Sequence, residues 1–143
     1  MSNPTILKWL REGKFYEALT GKNGYFMANH TYRGHHDLGL VISTMFELAK
    51  DEHEIVSRKF NEAVRVICKE DILIFLDTIN VYLITKKVIK ETLSINIEDY
   101  AELLSHTKID PNKYSDEDKY QINCLLKALK KKVSAFENIE LPL

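Results

Sequence analysis

The chain is expected to be all-α, and three observations carry that expectation. Apolar residues recur at helical spacing nearly throughout, and the alternating runs bounded by Asn-Gly or Asp-Gly that mark hairpins are almost absent. Only three prolines and five glycines punctuate 143 residues. A single all-helical domain over 1–143 is expected: a bundle of about six to seven helices, a short stack of antiparallel helix pairs around a buried central helix at about 71–93.

Pro4 suits the first position of an opening helix, where its missing N–H costs nothing, and Ile6, Leu7, Trp9 and Leu10 give that helix its apolar residues. Gly13 ends it, and GKFYEALTGKNG reads as a short second helix stopping at Gly21 or Gly24. Asp37 is placed to cap a third, with Leu38, Val41, Ile42, Met45 and Ala49 on one face. From about Glu52 to Lys69 a further amphipathic helix directs Val56, Phe60, Ala63, Val64 and Ile67 inward. Asp71 is set to cap the segment ILIFLDTINVYLITKKVIKETL, whose first half is apolar on nearly every side, as in a helix surrounded by others.

Asn96 caps a short helix holding Ile97, Tyr100, Ala101, Leu103 and Leu104, and KIDPNKYS is a turn because Pro111 biases Asp110 away from helical geometry. Ser115 opens the last helix, with Asp118 three residues on in a weaker form of the capping box. Its stripe runs Ile122, Leu125, Leu126, Leu129, Val133, Phe136, and Lys127, Lys130, Lys131 and Lys132 suit the negative end of its dipole.

A domain of this length buries roughly 68–70% of the surface its unfolded chain exposes, so folding requires neither metal nor disulfide. Net charge of -1 gives no case for binding nucleic acid or a membrane. Through His36 there are five Lys/Arg against two Asp/Glu, leaving fifteen against nineteen beyond it. The excess acid therefore follows the histidine-rich stretch NHTYRGHHDLG. Cys68 and Cys124, far apart and in no CxxC pair, are expected to be reduced core residues. The N-terminus MSNPTILKWLREGK lacks a long apolar region, so no signal peptide is read and the cytoplasm is the expected location.

The chemistry-bearing residues concentrate at 29–39. His30, His35, His36 and Asp37 are the residue types that ligate zinc, yet adjacent His35 and His36 point apart and the interval from His30 to His35 is not a helical i, i+4 pair. A turn that caps the next helix explains the stretch better. His36-Asp37 resembles the doublet of HD-type metal-dependent phosphohydrolases, which would imply a bound divalent ion and an activated water. That pattern also needs an upstream histidine, and none precedes His30; its later aspartate would have to be Asp77, on the apolar segment. GKFYEAL resembles the inter-helix turn of a tetratricopeptide repeat, which implies an antiparallel helix pair; no second copy stands 34 residues on. Neither G-x-S-x-G nor G-x-x-x-x-G-K-[ST] occurs, and neither cysteine sits beside a basic group at a helix start.

Two acidic clusters remain: Glu47, Asp51, Glu52 and Glu54, and then Glu98, Asp99 and Glu102. A small all-α chain with acidic segments such as FELAKDEHE and INIEDYAEL and no catalytic constellation resembles bacterial immunity proteins, which neutralise a toxin, often a nuclease, by covering its active site. That resemblance implies a non-enzymatic protein-binding domain without cofactor. The expected partner-facing acids are Asp37, Glu47, Asp51 and Glu54, with Tyr25, Phe26 and Tyr32 as anchors. The alternatives are a metal-dependent hydrolase built on His30, His35, His36 and Asp37, and a helical adaptor or regulatory domain.

Overall fold

Pro4 is helical: in the computed structural model, which describes residues 4–21, 37–89 and 93–143, α1 spans Pro4–Arg11. α2 (Phe15–Thr20) follows after Gly13, whose φ of 82° is a left-handed conformation that glycine adopts without steric cost. Gly21, at φ 70°, ends α2, its N–H donating to Glu17 O at 2.8 Å, so the earlier of the two expected stops is used. α1 buries Ile6 and Leu10, α2 buries Phe15, Ala18 and Leu19, and the two helices pack on each other and on α3. Tyr16 fastens α2 to the far end of α3 by donating to the Glu70 carboxylate at 2.6 Å.

α3 runs Leu38–Glu70 with a non-helical residue, Glu52 (φ -130°, ψ 47°), so it is two helical arms joined at the break between the two helices expected there. The core stripe shows why it breaks. Buried positions pass from Leu48 and Ala49 directly to Val56, and the residues one turn on from Ala49 are Glu52 and His53, both exposed. Burying those polar groups without partners would cost several kcal/mol, so the turn that carries them is lifted out of the core. The bend is sharp. Phe46 and Phe60 would stand roughly 21 Å apart along a straight helix, yet their ring centroids lie 5.6 and 5.5 Å from that of one residue, Tyr82.

α4 (Ile72–Ile89) begins one residue after α3 ends. Asp71 makes that junction: its Oδ1 accepts from Leu73 N at 3.0 Å and Ile74 N at 3.4 Å, while its own N–H closes α3 on Ile67 O at 2.8 Å. Ile72 N–H, left over by the tight join, donates to the Tyr114 hydroxyl at 2.9 Å. Phe60 and Tyr82 are equally distant from Asp71 in sequence and touch, so α4 runs antiparallel to the second arm of α3. Ile72 through Leu76, Thr78, Ile79, Asn80 and Tyr82 are buried, as expected of the central helix. It is described to Ile89; residues 90–92 lie outside the described set, and Leu93 is not helical.

α5 (Ile97–Ser105) is capped by Asn96, whose side chain accepts from Glu98 N at 3.1 Å. Asp110 accepts from Asn112 N at 3.0 Å in the Pro111–Lys113 turn. α6 (Asp116–Lys132) starts at Ser115, whose Oγ accepts from Asp118 N at 3.1 Å. The stripe of α6 buries Ile122, Leu126 and Leu129, but the helix stops at Lys132 because Val133 is extended (φ -132°, ψ 112°). Phe136 reaches the core from a separate 3-10 turn, Ser134–Phe136, and is not the last turn of α6. Among the described residues there are six α-helices and no strand, and no helix is long and apolar enough to cross a membrane.

Candidate functional site

The bend in α3 creates the most distinctive surface. In a straight amphipathic helix every third or fourth residue returns to the core; here residues 50–55, Lys50 to Ile55, are exposed without interruption. Three of those six are acids, Asp51, Glu52 and Glu54, and Glu47 stands one turn before Asp51 and is also exposed. Like charges at i, i+4 destabilise a helix by a few tenths of a kcal/mol, and Glu47 and Asp51 form such a pair. None of Glu47, Asp51 and Glu54 makes an ion pair among the described residues. The result is an acidic apex, held from beneath by the Phe46–Tyr82–Phe60 stack.

α5 brings the second acidic cluster to the same end. Ser94 N–H donates to Ser57 Oγ at 3.0 Å, which sets the start of α5 beside the α3 arm just past the apex. At the other end of α5 Thr107 Oγ1 lies 3.4 Å from Cys68 Sγ, so α5 runs parallel to that arm. Glu98 and Asp99 occupy the first turn of α5, where they offset the positive end of its dipole. That structural duty accounts for them, and Glu54, in the first turn of the second α3 arm, has the same one; Glu47 and Asp51, at the end of the first arm, have none of this kind.

Three apolar side chains at this end are left in solvent: Ile55 46%, Ile84 55% and Val88 75% exposed, with Lys86 and Lys87 between the last two. The sequence reading missed them. Ile84 and Val88 fall in the second half of the α4 segment, beside Lys86 and Lys87 and beyond the half that is apolar on nearly every side, where no clear stripe marks which face stays open. Ile55 did carry a signal, since it falls off the α3 stripe.

Of the expected partner-facing residues, Glu47, Asp51 and Glu54 come together on the apex. Asp37 does not join them: its Oδ1 accepts from Leu40 N at 3.0 Å as the cap of α3, and ten helical residues place it roughly 15 Å from Glu47. Tyr25, Phe26 and Tyr32, like His30, His35 and His36, lie outside the described residues. Among the described residues no group of three His, Cys, Asp or Glu side chains is arranged to hold a metal ion.

A shallow cleft lined by Lys69, Leu103, His106, Thr107 and Lys108 is the opposite pole. It lies where α3 and α5 both end. Lys69 stands in the last turn of α3 and His106 is the C-cap of α5, each at the negative end of a helix dipole, and Lys113 Nζ donates to Glu70 O in the same region. Helix termination explains this basic cleft without a ligand.

Cys68 is buried as expected and Cys124 is not: it is exposed on α6, between Ile122 and Leu126 on the stripe but on neither's face. Burial pushes the Cys68 thiol up, outweighing its contact with Thr107 and the charge of Lys69. A thiol reagent at neutral pH is therefore expected to modify Cys124 fast in the folded protein and Cys68 only on unfolding, read as one adduct and then two by mass spectrometry. Equal rates would contradict the packing of α5 over Cys68.

Burial also raises Tyr82 to about 12, and Tyr100 higher still, by burial first and then by the charge of Tyr82, with Arg65 acting the other way. A phenol with a raised folded-state pKa contributes stability that is complete below the unfolded value of 10.0 and is lost as pH rises toward 12. Ultraviolet titration followed with circular dichroism should show these two phenolates appearing only as helix is lost. Complete ionisation of all seven tyrosines near pH 10 with helix intact would contradict their burial.

Compared with protein-family models, with curated proteins and with solved structures, the chain finds no match in any of the three.

Proposed function

We propose that this chain is a non-enzymatic protein-binding domain, an immunity protein that inhibits a toxin by laying the acidic apex of α3 over the toxin's cationic active site. The observation that supports this reading is the run of exposed residues at the apex, where Asp51, Glu52 and Glu54 follow Glu47 without ion pairs among the described residues. A nuclease site binds phosphates and is therefore basic; an acidic apex on a braced scaffold complements it, raising the encounter rate and occupying the groove as the substrate backbone would. Ile55, Ile84 and Val88 at the same end provide the apolar contact that charge alone does not, in the manner of an interface with an apolar centre and charged rim. Inhibition is by occlusion, so no group on this chain need react.

The test is charge reversal at Glu47, Asp51 and Glu54 together, read as the association rate with the product of the gene immediately upstream. A large fall with the fold intact is the expected result.

A further inference from the structure

The acidic apex is one half of a pole whose other half is basic. Ile72 N–H donates to the Tyr114 hydroxyl at 2.9 Å near the starts of α4 and α6, and Asn80 Nδ2 donates to Leu125 O at 3.2 Å farther along both, so α6 runs parallel to α4. Lys87 and Lys132 each lie seven residues past that second contact, roughly 10 Å on, and so stand level with each other. Glu54 and Val88 are level too, six residues back from Phe60 and six on from Tyr82, whose rings meet across the antiparallel pair. Acids and lysines therefore share one end of the bundle.

They do not share one side of it. Tyr82, which meets α3, and Asn80, which meets α6, are two residues apart and so point roughly 160° apart around α4. α3 and α6 thus flank α4 on opposite faces, with axes roughly 16–20 Å apart, beyond the ~10 Å within which exposed charges feel one another at 0.1 M salt. On the α3 side Glu47, Asp51, Glu52 and Glu54 outnumber Lys50 and Lys86; on the α6 side stand Lys87, Lys130, Lys131 and Lys132, with Glu137 farther along the chain. None of these lysines makes an ion pair among the described residues. Between the two halves Ile84 and Val88 are exposed on α4.

We propose that a second copy of this chain covers this pole, in a reversible two-fold dimer in which the α3 acids of each copy meet the α6 lysines of the other and the Val88 side chains pack together near the axis. A surface ordered acid, apolar, base across its width is its own complement after half a turn about its middle. Charge complementarity singles out this occupant, because an anionic membrane or a nucleic acid would be drawn to the lysines and repelled by the acids beside them. The dimer covers the apex that the toxin reading uses, so the two complexes exclude one another. Self-association itself does not depend on that reading.

Light scattering at low ionic strength, from micromolar to millimolar chain, should show a mass rising from the 16.6 kDa of one chain toward twice that, and falling back as salt is raised. A charge-swap pair makes the test specific. Glu47→Lys, Asp51→Lys, Glu54→Lys in one protein and Lys130→Glu, Lys131→Glu, Lys132→Glu in another each set like charges face to face, so each alone should stay single; mixed, they restore both contacts and should pair one to one. Val88→Asp, at an exposed position, sets two like charges near the axis and should also keep the chain single, which serves if a triple variant fails to fold. An unmodified chain that keeps the mass of one chain throughout would overturn the proposal. So would folded variants whose mixture is no heavier than its parts, or a Val88→Asp chain as heavy as the unmodified one. A single chain that instead sediments with phosphatidylserine vesicles would give the pole to a membrane surface and overturn the dimer equally.

Discussion

Replacing Phe46 with alanine should cost about 3–5 kcal/mol, a large part of the roughly 5–15 kcal/mol by which a domain of this kind is stable. Phe46 is 0% exposed, and it does more than fill volume. It is the contact by which the first arm of α3, bent back at Glu52, grips Tyr82 on α4. Nothing in the backbone at Glu52 requires a particular angle, since neither proline nor glycine stands there. The angle is set by what the arms press against. Chemical denaturation should show a lower midpoint with the slope unchanged, and hydrogen exchange should rise most in residues 38–51. A loss below 1 kcal/mol would mean that the stack does not hold the bend.

Charge reversal at Glu47, Asp51 and Glu54 should slow association with the cationic toxin domain by about 10- to 1,000-fold at low ionic strength, the range over which complementary fields accelerate encounter. Stability should change by no more than about 0.5 kcal/mol, because all three side chains are exposed and unpaired among the described residues. The repulsion between positions 47 and 51 is retained, because both charges change sign together. Raising the salt concentration should shrink the difference between the two proteins as screening sets in. Stopped-flow kinetics measures both. An unchanged rate would remove the apex from the proposal and leave the α5 cluster and the apolar trio to carry it.

The start of nearly every described helix was legible in the sequence, because capping is local chemistry. Asp37, Asp71, Asn96 and Ser115 each accept the backbone N–H that a cap of their type is suited to take. The apolar stripes were legible for the same reason, as periodicity is a property of a few turns. What could not be read was how the helices meet. The gap in the α3 stripe at Glu52 and His53 announced a break, but only Phe46 and Phe60 converging on Tyr82 reveals its sharpness. The second half of α4, where Lys86 and Lys87 interrupt the apolar residues, shows no clear stripe, and so Ile84 and Val88 escaped notice. The stripe from Ile122 to Phe136 passed through Val133, where the helix stops; a 3-10 turn keeps Phe136 in register, so pattern alone could not mark the end. Cys124 was placed in the core by its apolar neighbours rather than by its own angle on α6, and it faces solvent. Of the candidate site, the acids were legible as residues, and their gathering on one apex was not. Asp37 belonged with them only by sequence proximity.

Inhibition of a toxin by this chain is tested most directly by co-expression. Cells producing the product of the gene immediately upstream should stop growing; with the unmodified chain growth should return, and with the Glu47→Lys, Asp51→Lys, Glu54→Lys variant it should return weakly or not at all, although that variant accumulates folded to the same level. Growth arrest that the unmodified chain fails to relieve would contradict the account.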